Sequence, residues 1–361
     1  MMTGNQPPSR SKSVERRALI IGAGSALVAS AMPRRLRAAT PPTLVTSIRS
    51  LSNPYHAVWK KGADAFAKSA GLEHVVLVSE GNSQKGIADI RAMLAKTGGN
   101  MILNSDPNDT ADARPIVESC FKARAYCVTQ WNKPADLIPK DFNPYYVSYI
   151  GFDGIDSGSM IADALFKAMG GKGGIVALGG LISNTAAIER REGLNKALTA
   201  NPDIKLLDFQ TADWKATEAY DKTNGLLTRF GDDLKGVWAA NDDMGVGALE
   251  ALRTAGLAGR VPVVGIDGIK AALDAIRTGE YVCTVTSNPF WQGGMGLSIG
   301  YHAASKSFDV ASAPADHRQF YGKTTFIDKS NVAVYYKTNI ESDPTYDWND
   351  LWSGVQGPVR S

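Results

Sequence analysis

The 361-residue chain contains little cysteine and histidine, with three and four residues respectively. Three cysteines cannot build the disulfide framework on which small secreted domains depend. Cys120 and Cys127 could pair in an oxidising compartment, but Cys127 lies in an apolar, strand-like run, which favours buried free thiols. His56 has no histidine or cysteine at metal-ligand spacing, so no metal site is predicted.

Most of the chain also lacks an excess of basic residues. The whole sequence has 39 Lys and Arg against 36 Asp and Glu. Residues 1–39 hold seven of the basic residues and one of the acidic ones, which leaves 32 basic and 35 acidic residues in 40–361. Nucleic-acid recognition needs a concentrated basic face, so no nucleic-acid partner is predicted.

Sequence motifs of common enzymes are absent as well. The chain has no G-x-S-x-G, H-E-x-x-H or P-loop pattern. No apolar run reaches the roughly 20 residues that a membrane-spanning helix needs. We therefore predict that the protein is not an enzyme and requires no cofactor.

The stretch ALIIGAGSALVASAM, residues 18–32, resembles the start of a dinucleotide-binding loop but lacks two of its parts. Gly22 and Gly24 match the first two glycines of G-x-G-x-x-G, whereas Leu27 stands where a third glycine or an alanine is needed. No acidic residue follows before Asp64, so none is placed to hold the ribose hydroxyls. A cofactor loop is therefore not predicted.

The flanks of that stretch indicate an export signal instead. Arg16 and Arg17 precede the apolar run, and small residues end it, which is the pattern of a cleaved signal. The arginine pair resembles a twin-arginine signal, which directs export of the folded protein; general secretory export is the alternative. We expect residues 1–39 to be an export signal. Cleavage should remove the first 31 to 39 residues, and the mature protein should be periplasmic.

From residue 43 onward, short apolar runs alternate with helix-length amphipathic segments. This alternation predicts an α/β fold with parallel sheets that helices cover on both faces. Ten strands are many for one twisted sheet, so two sheets and two lobes are expected. The strand candidates are TLVTSI, HVVLVSE, NMILNSD, YCVTQW, YVSYIGF, GIVALGG, KLLDFQT, GVWAAND, VPVVGID and VCTVTSN.

Amides, carboxylates, hydroxyls and aromatics follow the ends of these strand candidates. Ligands of open α/β sheets bind beyond the carboxyl ends of the strands. With almost no basic groups, such a set suits a neutral polyhydroxylated ligand. The segments are Asn53-Pro54-Tyr55-His56, Gln130-Trp131-Asn132, Asn241-Asp242-Asp243, Asp267-Gly268 and Ser287-Asn288-Pro289.

Five segments together resemble the ribose- and galactose-binding group of periplasmic substrate-binding proteins, which deliver sugars to ABC importers. They are SNPYHAVWKKGADAFAKSAG, NTAAIERREGLNKAL, VWAANDDMGVGALEALRTAG, VPVVGIDG and VTSNPFWQGGMG, within about residues 43–340. The resemblance implies a type I periplasmic binding protein, with two similar Rossmann-like lobes joined by a three-crossover hinge near residues 151, 287 and 321.

The resemblance also implies domain boundaries. The N-terminal lobe would comprise residues 43–151 and 288–321, and the C-terminal lobe residues 152–287 and 322–340. Residues 341–361 form a C-terminal extension that shorter members lack, and no function is assigned to it.

Position by position, the resemblance implies ten ligand-binding residues. At His56, Gln130, Trp131 and Ser287 this chain differs from the usual family residue, so the identity of the ligand stays open. Trp131 and Trp214 would form two stacking walls whose indole N–H groups can reach a ligand hydroxyl. The ten residues are Asn53, Tyr55, His56, Gln130, Trp131, Arg190, Trp214, Asn241, Asp267 and Ser287.

Several of these residues also have a purely structural interpretation. Asn53, Asn241 and Asp267 could cap helices, and the two tryptophans could belong to the core. Arg190 could pair with a neighbouring glutamate on a solvated face, but its spacing places it on the apolar side of its helix.

The resemblance implies a non-catalytic, monomeric receptor that captures a neutral monosaccharide or sugar alcohol by hinge closure. Its partners would be a membrane permease of an ABC importer and, as a further candidate, a chemoreceptor. Two rival interpretations use the same scaffold. A lactose-repressor-like regulator would need an N-terminal helix-turn-helix where this chain has an apolar export run, and a periplasmic enzyme would need a catalytic motif.

Overall fold

The computed structural model describes residues 40–360, so the predicted export signal at 1–39 lies outside the described residues. The strands are β1 (Thr43–Ile48), β2 (His74–Val78), β3 (Met101–Ser105), β4 (Tyr126–Gln130), β5 (Tyr146–Gly151), β6 (Gly173–Gly179), β7 (Ile204–Thr211), β8 (Leu234–Ala239), β9 (Val263–Ile266), β10 (Cys283–Thr286), β11 (Gln319–Gly322), β12 (Thr325–Asp328) and β13 (Val355–Pro358). The α-helices are α1 (Pro54–Ala70), α2 (Ser83–Thr97), α3 (Ala113–Ala123), α4 (Gly154–Ala168), α5 (Thr185–Ala200), α6 (Ala216–Phe230), α7 (Asp242–Thr254), α8 (Lys270–Thr278), α9 (Pro289–Ala304), α10 (Ala315–Arg318) and α11 (Val332–Asn339).

These elements form two α/β lobes, each built around one sheet. The first lobe has a seven-stranded sheet in the order β13-β11-β5-β4-β3-β1-β2, parallel except where β13 pairs with β11. The second lobe has a six-stranded sheet in the order β12-β10-β9-β8-β6-β7, parallel except where β12 pairs with β10. The predicted α/β fold with two lobes is confirmed.

All ten strand candidates from the sequence are strands β1 to β10. Their residues are mostly buried, as expected for parallel strands that helices cover on both faces. The sequence did not reveal β11, β12 and β13, which have four residues each. Such short segments carry too little pattern to be recognised without the neighbouring strand with which they pair.

The chain passes between the lobes through three short joins. These joins are residues 152–153 between β5 and α4, 287–288 between β10 and α9, and 323–324 between β11 and β12. After α11 the chain passes a fourth time, because β13 adds to the sheet of the first lobe. Residues 341–360 therefore return from the second lobe to the first.

Helix α1 begins at a cap that places the first-lobe side of the site. The side chain of Asn53 accepts a hydrogen bond from the Tyr55 N–H at 2.9 Å, and Pro54 occupies the first helical position. The helix packs closely on α9, because a Cβ at Gly62 would lie 1.8 Å from the Phe290 carbonyl oxygen. This contact sets the middle of α1 against the start of α9.

A similar close approach positions the second-lobe side. Helices α4 and α5 pack where Gly158 has no side chain, and a Cβ there would lie 2.3 Å from the Arg190 carbonyl oxygen. Arg190 is therefore held on the buried face of α5, where only 4% of it is exposed.

Three negative findings apply to residues 40–360. Cys120, Cys127 and Cys283 are buried free thiols, as the apolar run around Cys127 favoured. None of the helices in this range is both long and apolar enough to cross a bilayer. The same range contains no group of three or more His, Cys, Asp or Glu side chains that could hold a metal ion.

Candidate ligand-binding site

A cavity of about 60 Å³ lies between the two lobes, at the carboxyl ends of the strands. Each sheet contributes residues that directly follow a strand: Arg49 after β1 and Asp106 after β3 on one side, Asp267 after β9 on the other. This is where open α/β sheets bind ligands. The lining residues are Arg49, Asn53, Tyr55, His56, Asp106, Trp131, Asn132, Asn184, Ala186, Arg190, Trp214, Asn241 and Asp267.

Eight of the ten predicted binding residues line this cavity, and two do not. Gln130 is fully buried behind the wall, where its Nε2 donates to Asn104 Oδ1 at 2.9 Å and to the Gln292 carbonyl at 2.9 Å. Ser287 lies outside the lining and accepts a hydrogen bond from Gln292 Nε2 at 3.0 Å. Both residues support the wall instead of forming it.

The first-lobe wall combines a hydrogen-bonded histidine with a tyrosine network. His56 Nε2 lies 3.0 Å from Asp106 Oδ2, and His56 Nδ1 is buried without a hydrogen-bond partner among the described residues. The Tyr55 hydroxyl donates to Gln292 Oε1 at 2.7 Å, and burial raises its pKa well above the usual range. Tyr55 therefore stays neutral, and His56 keeps one ring nitrogen free to bond a ligand.

The second-lobe wall contains a buried arginine and a buried aspartate. Arg190 Nη1 donates to the Ala240 carbonyl at 2.6 Å, and its Nε has no partner among residues 40–360. Burial raises the pKa of Asp267 well above its usual range, against the attraction of Arg190, which lowers it. Burial also lowers the pKa of Arg190, but a guanidinium stays protonated in proteins.

Arg190 lies between the two predicted tryptophan walls. Its Cζ is 5.1 Å from the ring centroid of Trp131 and 5.5 Å from that of Trp214, both within cation–π range. Each indole N–H already has a protein acceptor: Trp131 Nε1 donates to the Tyr55 hydroxyl at 2.7 Å, and Trp214 Nε1 to Asn184 Oδ1 at 2.7 Å. Both N–H groups are therefore bonded to protein atoms in this structure, and the expectation that they reach a ligand hydroxyl stays a prediction.

Three cavity residues have a backbone conformation that favours glycine. The φ angles are 62° at Trp131, 66° at Trp214 and 137° at Asp267. Such conformations cost on the order of 1–3 kcal/mol each and persist where the surroundings impose them. The Asp267 N–H, for example, donates to the Val285 carbonyl at 2.8 Å. No residue preference in the sequence could have signalled these turns.

The capping and binding interpretations of two asparagines coexist. Asn53 caps α1 and Asn241 caps α7, where its Oδ1 accepts from the Met244 N–H at 3.0 Å, yet both line the cavity. Asp267 does not cap α8, whose cap residue is Ile269.

Glu189 forms no ion pair with Arg190 among the described residues, although the two are neighbours in the chain. Glu189 Oε2 accepts a hydrogen bond from the Gly154 N–H at 3.2 Å. Burial raises the pKa of Glu189 to about 7. The closest acidic partner of Arg190 is Asp267, so the pairing of Arg190 with a neighbouring glutamate is not observed.

Four polar lining residues were not among the ten predicted binding residues: Arg49, Asp106, Asn132 and Asn184. Weak signals for them existed. Asp106 ends the strand candidate NMILNSD, Asn132 ends Gln130-Trp131-Asn132, and Asn184 begins NTAAIERREGLNKAL. Arg49 directly follows β1, and that position beyond a strand end was its only signal.

Comparisons with known proteins agree with this architecture. The family model described as a periplasmic binding protein domain matches residues 44–307. The ribose import binding protein of Salmonella typhimurium is 30% identical over 274 residues, which cover 76% of this chain and 88% of the relative. The xylitol-binding protein of Mycolicibacterium smegmatis is 40% identical over 162 residues, which span less than half of either chain (45% and 46%).

Two solved structures extend the likeness over most of the described residues. A twin-arginine translocation pathway signal protein from Burkholderia phytofirmans is 53% identical, with a TM-score of 0.88 over 89% of this chain and 99% of that one. A periplasmic solute-binding protein of an ABC transporter from Actinobacillus succinogenes, with bound D-allose, is 27% identical, with a TM-score of 0.72 over 81% of this chain and 100% of that one.

Proposed function

The chain belongs to the periplasmic binding protein domain family, and we propose that it captures a neutral monosaccharide or sugar alcohol between its lobes and delivers it to the membrane permease of an ABC importer. The observation that carries this proposal is the pairing of Arg190 with Asp267 in the cavity wall. Their closest atoms are 4.0 Å apart, near enough to attract but too far for a hydrogen bond.

A carbohydrate hydroxyl suits that gap because it donates and accepts at once. It can donate to the Asp267 carboxylate and accept from Arg190, and hydrogen bonds to charged groups are stronger than neutral ones. The lining contains two arginines, Arg49 and Arg190, and two aspartates, Asp106 and Asp267. Arg190 opposes the burial that raises the pKa of Asp267, and with both aspartates ionised these charges balance, so the ligand has no need to carry a charge of its own.

The relatives support the carbohydrate class. They include proteins named for ribose import, for xylitol binding and for allose binding. All are binding proteins, which favours a receptor without catalytic activity or a cofactor over an enzyme or a repressor on the same scaffold. We expect the receptor to act as a monomer, with a chemoreceptor as a further candidate partner.

Export by the twin-arginine route completes the proposal. Arg16 and Arg17 stand before an apolar run, and the similar structure from Burkholderia phytofirmans belongs to a twin-arginine translocation pathway signal protein. The mature receptor would then begin after residue 31 to 39 and act in the periplasm.

A thermal-shift screen of residues 40–361 tests the function. Pentoses, hexoses, polyols and inositols are compared with amino acids and nucleosides. A ligand at about 100 times its Kd adds roughly 2.7 kcal/mol to the free energy of unfolding. The proposal fails if no carbohydrate raises the melting temperature while an amino acid or nucleoside does. Asp267→Asn is the matched control, since it should fold but lose the shift.

A further inference from the structure

Two segments of opposite lobes meet beside the cavity, which Asn132 and Asn184 line, and bond to each other directly. In the second lobe, the Thr185 N–H donates to Thr110 Oγ1 at 2.9 Å and to Asn132 Oδ1 at 3.1 Å, both in the first lobe. The hydroxyls of Thr110 and Thr185 lie 3.0 Å apart. The Ser183 hydroxyl donates to the Asp109 carboxylate. These contacts join one lobe directly to the other.

Asn184 is the centre of this contact and only 1% of it is exposed. Its Nδ2 donates to the Asn108 carbonyl of the first lobe at 3.0 Å. Its Oδ1 accepts from Arg49 Nη2 of the first lobe at 3.2 Å and from Trp214 Nε1 of the second lobe at 2.7 Å. One side chain therefore ties the lobes together and fixes two residues of the cavity wall.

We propose that Asn184 is a positioning residue whose cross-lobe bonds stabilise the closed state relative to the open one and thereby set the affinity of the receptor. This inference rests on the proposed function. Only the closed state presents both walls to a ligand, so the apparent Kd equals the intrinsic Kd divided by the closed fraction. Opening this contact also frees Arg49 and Trp214 from their shared acceptor.

Small-angle scattering without any carbohydrate tests this independently of what the receptor binds. Asn184→Ala should have a larger radius of gyration than the wild type. Thr110→Val should open in the same direction, whereas Thr110→Ser keeps the hydroxyl and should match the wild type. Asn195→Ala is the control. Asn195 lies on the exposed face of α5, the helix that follows Asn184, and this variant should have the wild-type radius of gyration.

A second measurement connects closure to binding, with D-ribose as the probe. Asn184→Ala should bind D-ribose roughly tenfold more weakly, chiefly through faster dissociation. Equal radii of gyration for the wild type and Asn184→Ala, with both proteins folded by circular dichroism, would overturn the proposal. Absence of D-ribose binding in the wild type would exclude ribose as the ligand and leave the scattering result, which decides the proposal, standing.

The C-terminal extension, residues 341–360, carries a second and independent inference, because it contacts all three joins between the lobes. Asn288 Nδ2 donates to the Tyr346 hydroxyl at the second join. The Lys323 N–H donates to the Gly354 carbonyl at 2.8 Å at the third join. Arg360 Nη2 lies 2.5 Å from Asp153 Oδ2 at the first join.

The rest of the extension is anchored firmly on the first lobe. Strand β13 pairs with β11, and the ring of Trp352 stacks on His317 at 3.8 Å between centroids. The Trp348 ring packs against Phe66 and Phe290, with centroids 6.1 and 6.3 Å away. The extension is therefore fixed to the first lobe and bonded to all three joins. Such a segment must resist the backbone rotations by which the lobes separate.

We infer that the extension is a hinge brace that restricts how far the lobes open. Hydrogen–deuterium exchange of the unliganded protein tests it. The double variant Tyr346→Phe with Arg360→Ala should exchange roughly threefold or more faster than the wild type in peptides covering 150–154 and 286–289, while peptides of β1 and β6 stay unchanged.

Lys61→Ala is the matched control for the brace. It removes the ion pair between Lys61 Nζ and Asp343 Oδ1, which are 3.6 Å apart. Asp343 belongs to the extension, whereas Lys61 lies on α1, so this ion pair is away from the joins. This variant should exchange at the wild-type rate in the same peptides. Unchanged exchange at the joins in the double variant would refute the brace.

Discussion

Arg190 and Asp267 lie 4.0 Å apart in the cavity wall, and each is almost fully buried without a hydrogen bond to the other. A buried pair held at this distance keeps its bonding capacity for a third group between or beside the two charges. Leaving either charge without its partner is costly, because a buried unpaired charge lacks solvation.

Substitution of this pair should impair binding while the fold survives. Arg190→Ala and Asp267→Ala should each weaken carbohydrate affinity by roughly 10- to 150-fold, since a hydrogen bond to a charged group contributes about 1.5–3 kcal/mol. Calorimetry with the carbohydrate identified by thermal shift measures this. Wild-type affinity in either variant would remove that residue from the site.

The tryptophans should report closure even though their N–H groups bond to protein atoms. Trp214→Phe removes the bond from Nε1 to Asn184, and Trp131→Phe removes the bonds to Tyr55 and Gln292. Each variant loses one indole N–H donor, so it should bind roughly fivefold more weakly, from about 1 kcal/mol per lost donor, and should lose part of the ligand-induced change in tryptophan emission. Full affinity and the full spectral change in both variants would place these indoles in the core alone.

Gln292 should matter more for stability than its absence from the cavity lining implies. Its Oε1 accepts from Tyr55 and Trp131, so Gln292→Ala leaves the buried Tyr55 hydroxyl without its acceptor, whereas the Trp131 N–H keeps the Tyr55 hydroxyl as its acceptor. The free energy of unfolding should fall by roughly 1–3 kcal/mol for the unpaired hydroxyl. Ser287→Ala, which removes a single acceptor of Gln292, should cost less, and chemical denaturation compares the two.

Asp242 should make stability fall as the pH rises. Burial raises its pKa from 3.8 in the unfolded chain to about 6 in the fold. The folded state therefore holds this proton longer, and its contribution, on the order of 3 kcal/mol, is present below pH 4 and lost as the pH rises through 6. Asp242→Asn should flatten the dependence between pH 4 and 6 in urea denaturation. An equally steep dependence in the variant would assign the effect to other groups.

Export should depend on Arg16 and Arg17 if the twin-arginine route is used. Replacing both with lysine should retain the protein in the cytoplasm with its full N-terminus, because that route recognises the arginine pair. Mass spectrometry of periplasmic and cytoplasmic fractions measures the N-terminus. Unchanged export of the variant would indicate the general secretory route.

The sequence predicted the central strands well and the site in part. A parallel strand buried on both faces is a continuous apolar run, so β1 to β10 were readable. Asp267 and Trp131 were found because they follow such runs. Gln130 and Ser287 were placed in the same way but lie behind the wall, since position after a strand end does not determine which way a side chain is held.

Local sequence, through apolar runs, helix caps and strand-end polar residues, determined the two-lobed α/β architecture and the edge of each sheet where a ligand would bind. Only the tertiary structure decided that Asn184 joins Arg49 to Trp214, that Arg190 lies between two indoles, and that the C-terminal extension grips the joins. The physical reason is the distance along the chain over which each kind of interaction acts. Propensity and periodicity act within one helix or strand, whereas these contacts join residues from different lobes or from distant parts of the chain, and they exist only once the lobes have packed against each other.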